Sequence, residues 1–143
     1  MITIALRFAD FRAPSDGTIS EHEKLIEEFG FVWYGKFGSG ISKKIQDEIM
    51  SSEKPKILLI QSGKFHRYWA EVSEISGSTP DLKYVPTYYH DLSLKIKAWF
   101  KITKFSEAPN NIMSKCLVAS SGNVLSEVSK RSDSPYFVIS TSE

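Results

Sequence analysis

The chain has 143 residues, 41% of them hydrophobic and 13% aromatic, with 18 lysines and arginines against 17 aspartates and glutamates for a net charge of +1. That length fits one domain with a sizeable core, and the charge balance excludes wholesale basicity, so any nucleic-acid contact has to come from a local patch. The lone Cys116 cannot form an internal disulfide, and no run reaches the ~18 apolar residues of a membrane span; a reducing, cytoplasmic setting without membrane contact is the expectation.

The first residues, "MITIALRF", are rich in β-branched types and read as a strand, and "RAPSDG" is loop chemistry. In "TISEHEKLIEEFG", Thr18 and Glu21 have capping-box spacing, Ile19, Leu25, Ile26 and Phe29 share a helical face, and Gly30 suits the residue after the helix. "FVWYG" reads as a second strand. Ser39 or Ser42 can cap a second helix in which Ile41, Ile45 and Ile49 recur every four residues. "KPKILLIQSG" is a buried strand, and "FHRYWAEVSEI" forms a hairpin with it.

Residues 77–91 contain two prolines and three tyrosines and read as a long loop. "LSLKIKAWFKITKF" then alternates as a strand, with Leu94, Ile96, Ala98, Phe100 and Ile102 on one face and Lys95, Lys97, Trp99, Lys101 and Thr103 on the other. A short helix from Asn123 and a last strand, "PYFVIS", complete the chain. The order predicts an α+β domain: a curved, mostly antiparallel β-barrel of five or six strands, with helices at 18–29 and 40–51 packed outside it. A doubly wound sheet is not expected, because only one or two connections could be βαβ crossovers and no G-x-G-x-x-G follows a strand.

Catalytic signals are thin. His22, His66 and His90 are scattered, none has metal-ligand spacing to Cys116, and Pro80–Asp81 lacks the further carboxylates and lysine of a nuclease site. No enzyme, metal or cofactor is expected. "GKFGSG" lacks the Gly-Lys-Ser/Thr ending of a nucleotide-phosphate loop, although a glycine loop opening a helix offers N–H groups to an anion as readily as it makes a plain turn. The stripe Lys95, Lys97, Trp99, Lys101 suits phosphates and a base, and equally a lysine-protected edge. Trp33 and Trp69 taken alone read as core, whereas Tyr84, Tyr88 and Tyr89 sit in a polar loop with no evident packing duty.

In order and spacing, "FGFVW", "GSGISKKI", "ILLIQSGKFHRYWAEV" and "LKIKAWFKITKFSEAP" resemble the YTH and EVE branch of the PUA-like superfamily, whose members read modified bases. The resemblance covers roughly 80 residues from Gly30 to Pro109 and implies that residues 1–143 form one module, a non-catalytic reader, within or beside a larger effector. EVE-like domains of this kind precede McrB-type modification-dependent restriction proteins, so NTPase and nuclease components are the implied partners. The implied base cage has Trp33 as one wall and Tyr84, Tyr88 or Tyr89 as another, with Trp69 in reserve. Lys36, Gly38, Ser39, Gly40 and Ser42 would meet the base edge, and Lys43, Lys44, Lys64, Arg67, Lys95, Lys97 and Lys101 the phosphates. N6-methyladenine or a modified cytosine in DNA is the expected ligand; methylated RNA, or a ligand or protein unrelated to nucleic acid, are the alternatives.

Overall fold

A computed structural model describes residues 1–142. Seven strands form one sheet in the order β2-β5-β4-β3-β1-β7-β6: β1 Ile2–Phe8, β2 Val32–Lys36, β3 Lys56–Gln61, β4 Arg67–Ser76, β5 Ala98–Glu107, β6 Leu117–Val118 and β7 Tyr136–Ser140. Every pair is antiparallel except β1 with β3. The curved barrel of five or six strands is therefore corrected to a seven-stranded sheet that does not close, since β2 and β6 are its two edges. The α+β mixture stands, with α1 Gly17–Phe29, α2 Lys43–Met50 and α3 Leu125–Arg131.

Local chemistry sets the helix ends. Gly30 adopts φ 88°, a left-handed conformation that glycine reaches without steric cost, and its N–H closes α1 on the Ile26 carbonyl. Ser42 caps α2 by accepting from the Ile45 N–H. The Thr18 capping box does not form. Asp16 is the N-cap without a side-chain bond, and Asp10, reaching from the preceding loop, accepts from the Thr18 N–H at 3.0 Å.

Two cores flank the sheet. Ile4, Leu6, Val32, Leu59, Phe100 and Ile102 pack toward α1 and α2, while Leu58, Trp69, Ile112, Cys116, Leu125 and Ile139 pack toward α3.

The largest departure from expectation lies between Leu82 and Ala98. Two 3-10 segments, Leu82–Tyr84 and Thr87–Lys95, replace the long loop and the start of the expected strand. β5 begins only at Ala98, so Lys95 and Lys97 are not on it. From Ala98 onward the alternation holds, with Phe100 and Ile102 in the helix-facing core. The opposite face, read as a solvent-facing stripe, is covered by the 3-10 segments: Trp99 is fully buried in a third cluster with Trp33, Val85, Tyr89 and Ile96. Lys101 lies at that cluster's border, its ammonium 4.3 Å from the Phe31 ring centroid.

Gly35 makes the cover possible. It stands opposite Trp99 across the β2–β5 pair, and a Cβ there would meet Ile96 Cδ1 at 2.7 Å and Trp99 Cζ3 at 3.0 Å. A glycine inside a strand marks such an approach.

Candidate nucleic-acid interface

Alternation along β2 sends Trp33 and Gly35 to the Trp99 side and Tyr34 and Lys36 to the other. On Tyr34's side, a cavity of about 260 Å³ lies at the seam where the sheet fails to close. Leu6, Arg7, Phe8 and Ala9 from the end of β1 line one side of it, with Pro135 just before β7. Tyr34, Gly35, Lys36 and Phe37 line the other. Thr18 and His22 of α1, and Tyr88 and Tyr89 of the 3-10 segment, complete the wall, and Phe11 and Arg12 stand in the loop between β1 and α1.

The walls are largely aromatic and held by one another. His22 stacks on Tyr34 with centroids 4.6 Å apart and planes 32° apart. Tyr88 and Tyr89 meet at 67°, and Phe37 meets Tyr89 at 62°. These steep angles shape a floor and sides, not two parallel plates.

Hydrogen bonds fix the ring that ties the wall to the core. His22 is fully buried, and burial lowers its pKa to about 4, so the imidazole is neutral. Nδ1 lies 2.8 Å from the Thr18 carbonyl oxygen, which can only accept; Nδ1 therefore carries the proton. Nε2 is then an acceptor, and the Tyr89 hydroxyl 2.8 Å away donates to it. That hydroxyl also accepts from the Gly35 N–H at 3.2 Å, which satisfies an outward donor on the edge strand.

The charged side chains lining the cavity, Arg7, Arg12 and Lys36, are all cationic. Arg7 is occupied: Nε donates to the Ser134 carbonyl and Nη2 to those of Ser129 and Ser132, tying down the C-terminal end of α3. Arg12 is exposed at the mouth, with its guanidinium 5.1 Å from the Phe11 ring centroid and 5.2 Å from that of Phe37. Phe11 is 80% exposed and Phe37 41%, so two rings with a cation between them face solvent at the entrance. An adjacent open groove of about 580 Å³ carries Asp10, Asp16, Glu23 and Glu107, which would repel a phosphate backbone.

Of the residues proposed for a cage, the structure brings Tyr88 and Tyr89 to the cavity and leaves the others outside. Trp33 is core, 8% exposed on the opposite side of β2, because Tyr34 takes the cavity-facing register. Tyr84 packs on Phe29 and Phe31. Trp69 belongs to the α3-side core, with the Lys56 ammonium 4.1 Å from its ring.

The loop residues Gly38, Ser39, Gly40 and Ser42 do not line the cavity. The loop presents carbonyls inward to Lys36 Nζ, from Ser39 at 2.6 Å and Phe37 at 3.3 Å, instead of N–H groups to a base edge. Among the expected phosphate contacts, none lines the cavity. Lys43 pairs with Asp47, Lys64 lines the acidic groove, and Arg67 lies against Phe65 and Met113. Lys44, Lys95 and Lys97 are exposed elsewhere.

Phe11, Arg12, Tyr34 and Phe37 were not assigned to a site from the sequence, and His22 was weighed there only as a catalytic or metal-binding candidate. His22 did carry a signal, since it falls on the apolar face of α1 between Ile19 and Ile26.

A family model described as Pua-like matches residues 4–133, and the chain belongs to that family. PUA-like domains generally bind RNA or other nucleic acids and are typically non-catalytic binding modules. No curated protein and no solved structure gives a significant match. Among the described residues no helix is long and apolar enough to cross a membrane, and no group of three or more His, Cys, Asp or Glu is placed to hold a metal ion.

Proposed function

We propose that this PUA-like domain is a nucleic-acid reader that takes one unstacked base into the cavity walled by Tyr34, Tyr88 and Tyr89, while flanking nucleotides stack on Phe11 and Phe37. One observation carries the reading: an aromatic cavity at the sheet seam has only cationic charged residues in its lining and an exposed Phe–Arg–Phe entrance. Its 260 Å³ falls below the roughly 300–1,000 Å³ of sites for drug-sized ligands, which suits a single base. Removing a base from its stack costs a few kcal/mol, and each aromatic contact returns roughly 1–3 kcal/mol.

The resemblance to specificity domains of modification-dependent restriction proteins supports a modified base in DNA as the ligand and an NTPase–nuclease effector as the partner. Fluorescence anisotropy over matched modified and unmodified DNA and RNA strands, with Tyr88→Ala beside the wild type, tests the proposal. Binding that falls with salt and with loss of Tyr88 supports it. Equal binding by wild type and Tyr88→Ala across the whole panel removes the cavity from the function.

A further inference from the structure

Lys36 is a lysine with 1% exposure, in a strand, in the lining of the cavity. Lysine is almost never buried without a partner charge, because taking an ammonium out of water costs several kcal/mol. Its surroundings are polar but neutral. The Ser39 carbonyl accepts at 2.6 Å, the Phe37 carbonyl at 3.3 Å, and the Tyr136 ring centroid lies 4.6 Å away.

No carboxylate forms an ion pair with it among the described residues, and no aspartate or glutamate lines the cavity. The carboxylate of the neighbouring loop, Asp10, is engaged elsewhere by the Thr18 N–H and the Gln61 side chain. Burial lowers the Lys36 pKa, which is the mark of an uncompensated charge.

A second group points the same way. Tyr34 is 5% exposed, lines the same cavity, and its hydroxyl makes no hydrogen bond among the described residues. Its neighbour on the wall, the Tyr89 hydroxyl, is by contrast fully engaged with His22 and Gly35. The cavity lining thus includes a lysine with no carboxylate partner, its ammonium held only by two neutral carbonyls and a ring, and a hydroxyl with no hydrogen bond among the described residues; an oxygen acceptor entering the cavity would compete with those carbonyls for the ammonium.

We propose that the cavity selects a base presenting an oxygen acceptor to Lys36, either the keto oxygen at position 4 of a pyrimidine or an oxygenated 5-substituent such as a carboxylate, over a base that has an amino group and neither of these oxygens. This rests on the base-reading proposal above and narrows its ligand class. A carboxylate supplies the counter-charge Lys36 lacks, a keto oxygen accepts a charge-assisted hydrogen bond, and an amino group brings hydrogens toward an ammonium.

The test uses oligonucleotides identical except at one central position, occupied by cytosine, 5-carboxycytosine, uracil or N6-methyladenine, and the four matching free nucleosides. Wild type should favour 5-carboxycytosine and uracil by about tenfold or more, the scale of one hydrogen bond to a charged donor. Lys36→Met should erase that preference while its melting temperature stays at or above that of the wild type, since an apolar residue replaces a buried charge.

A preference for N6-methyladenine, no preference at all, or an oxygen preference that survives in Lys36→Met overturns the inference and leaves base reading intact. A Lys36-dependent preference among free nucleosides, without binding of any strand, keeps the inference and overturns the nucleic-acid reading. If neither strands nor nucleosides bind, both fall. Should Lys36→Met fail to fold, Lys36→Gln serves in the same comparison.

Discussion

The ring of Tyr89 lies 6.4 Å from that of Trp99 and only 18° from parallel, while its hydroxyl reaches round the edge of β2 to His22. One side chain therefore belongs both to the buried layer under the sheet and to the cavity wall above it. It can do so because the 3-10 segment is kinked at Tyr89 itself, where φ is −127° and ψ 22°.

Tyr89→Phe keeps the stacked ring and deletes the hydroxyl. The buried Nε2 of His22 and the Gly35 N–H then lose their partner, and each such orphan costs about 1–3 kcal/mol. Urea denaturation should show a loss on that scale, and a change within a few tenths of a kcal/mol would mean the network carries no weight.

His22 gives stability a pH dependence with a definite sign. Its folded pKa of about 4 lies below its ordinary 6.5, so between those values the unfolded chain binds a proton that the folded chain refuses. This contribution is fully present above pH 6.5 and is lost as the pH falls toward 4, by about 3 kcal/mol in all. Denaturation curves from pH 4 to 8 should show that decline for the wild type, and His22→Leu should flatten it.

Trp33→Ala and Tyr88→Ala should fail differently. Trp33 is packed with Trp99 and Val85, so truncation should cost about 3–5 kcal/mol of stability and weaken every ligand alike. Tyr88 is half-buried at the cavity, and its loss should leave the fold largely intact while costing about 1–3 kcal/mol of binding, near ten- to a hundredfold. Melting temperature measured beside affinity separates the two.

Arg12 should act through charge. Arg12→Ala should weaken binding to modified and unmodified strands about equally and lower the slope of log affinity against log salt by about one. An unchanged slope would place the phosphate path away from the Phe11–Phe37 entrance.

Gly35→Ala should destabilise the fold by about 1–3 kcal/mol, because the added methyl overlaps Ile96 and the Trp99 ring. The Ile96 tip can rotate away, so Gly35→Ala combined with Ile96→Val should recover part of the loss.

Much of the scaffold was legible in the sequence because it rests on local chemistry. Gly30 ends α1, Ser42 begins α2, and the hairpin of β3 with β4 follows from the apolar run and its turn. The stretch from Leu82 to Lys97 was not legible. Its pattern suits a strand, but tertiary packing over Trp99 folds it into 3-10 turns, and a lysine-flanked tryptophan reads the same whether its face meets water or a covering loop.

The cavity was half legible. "VWYGK" announces alternation without saying which of Trp33 and Tyr34 faces the cavity, and a one-residue change of register exchanges them. Phe11 and Arg12 matter through where their loop lands, and Asp10 decides that by binding Thr18 and Gln61 across the fold.

The open seam also bears on how fast a ligand comes and goes. Lys36 on β2 and Tyr136 on β7 face each other across it through side chains, and no ladder of backbone hydrogen bonds joins the two strands. On the proposed reading, a base would enter or leave without unpairing a strand. Phe11, Arg12 and Phe37 at the entrance are all exposed, and exposed side chains change rotamer in picoseconds to nanoseconds. Residence time of a bound base would then be governed by the contacts within the cavity and not by the opening of a gate, so variants that weaken those contacts should act on the dissociation rate and leave the association rate nearly untouched.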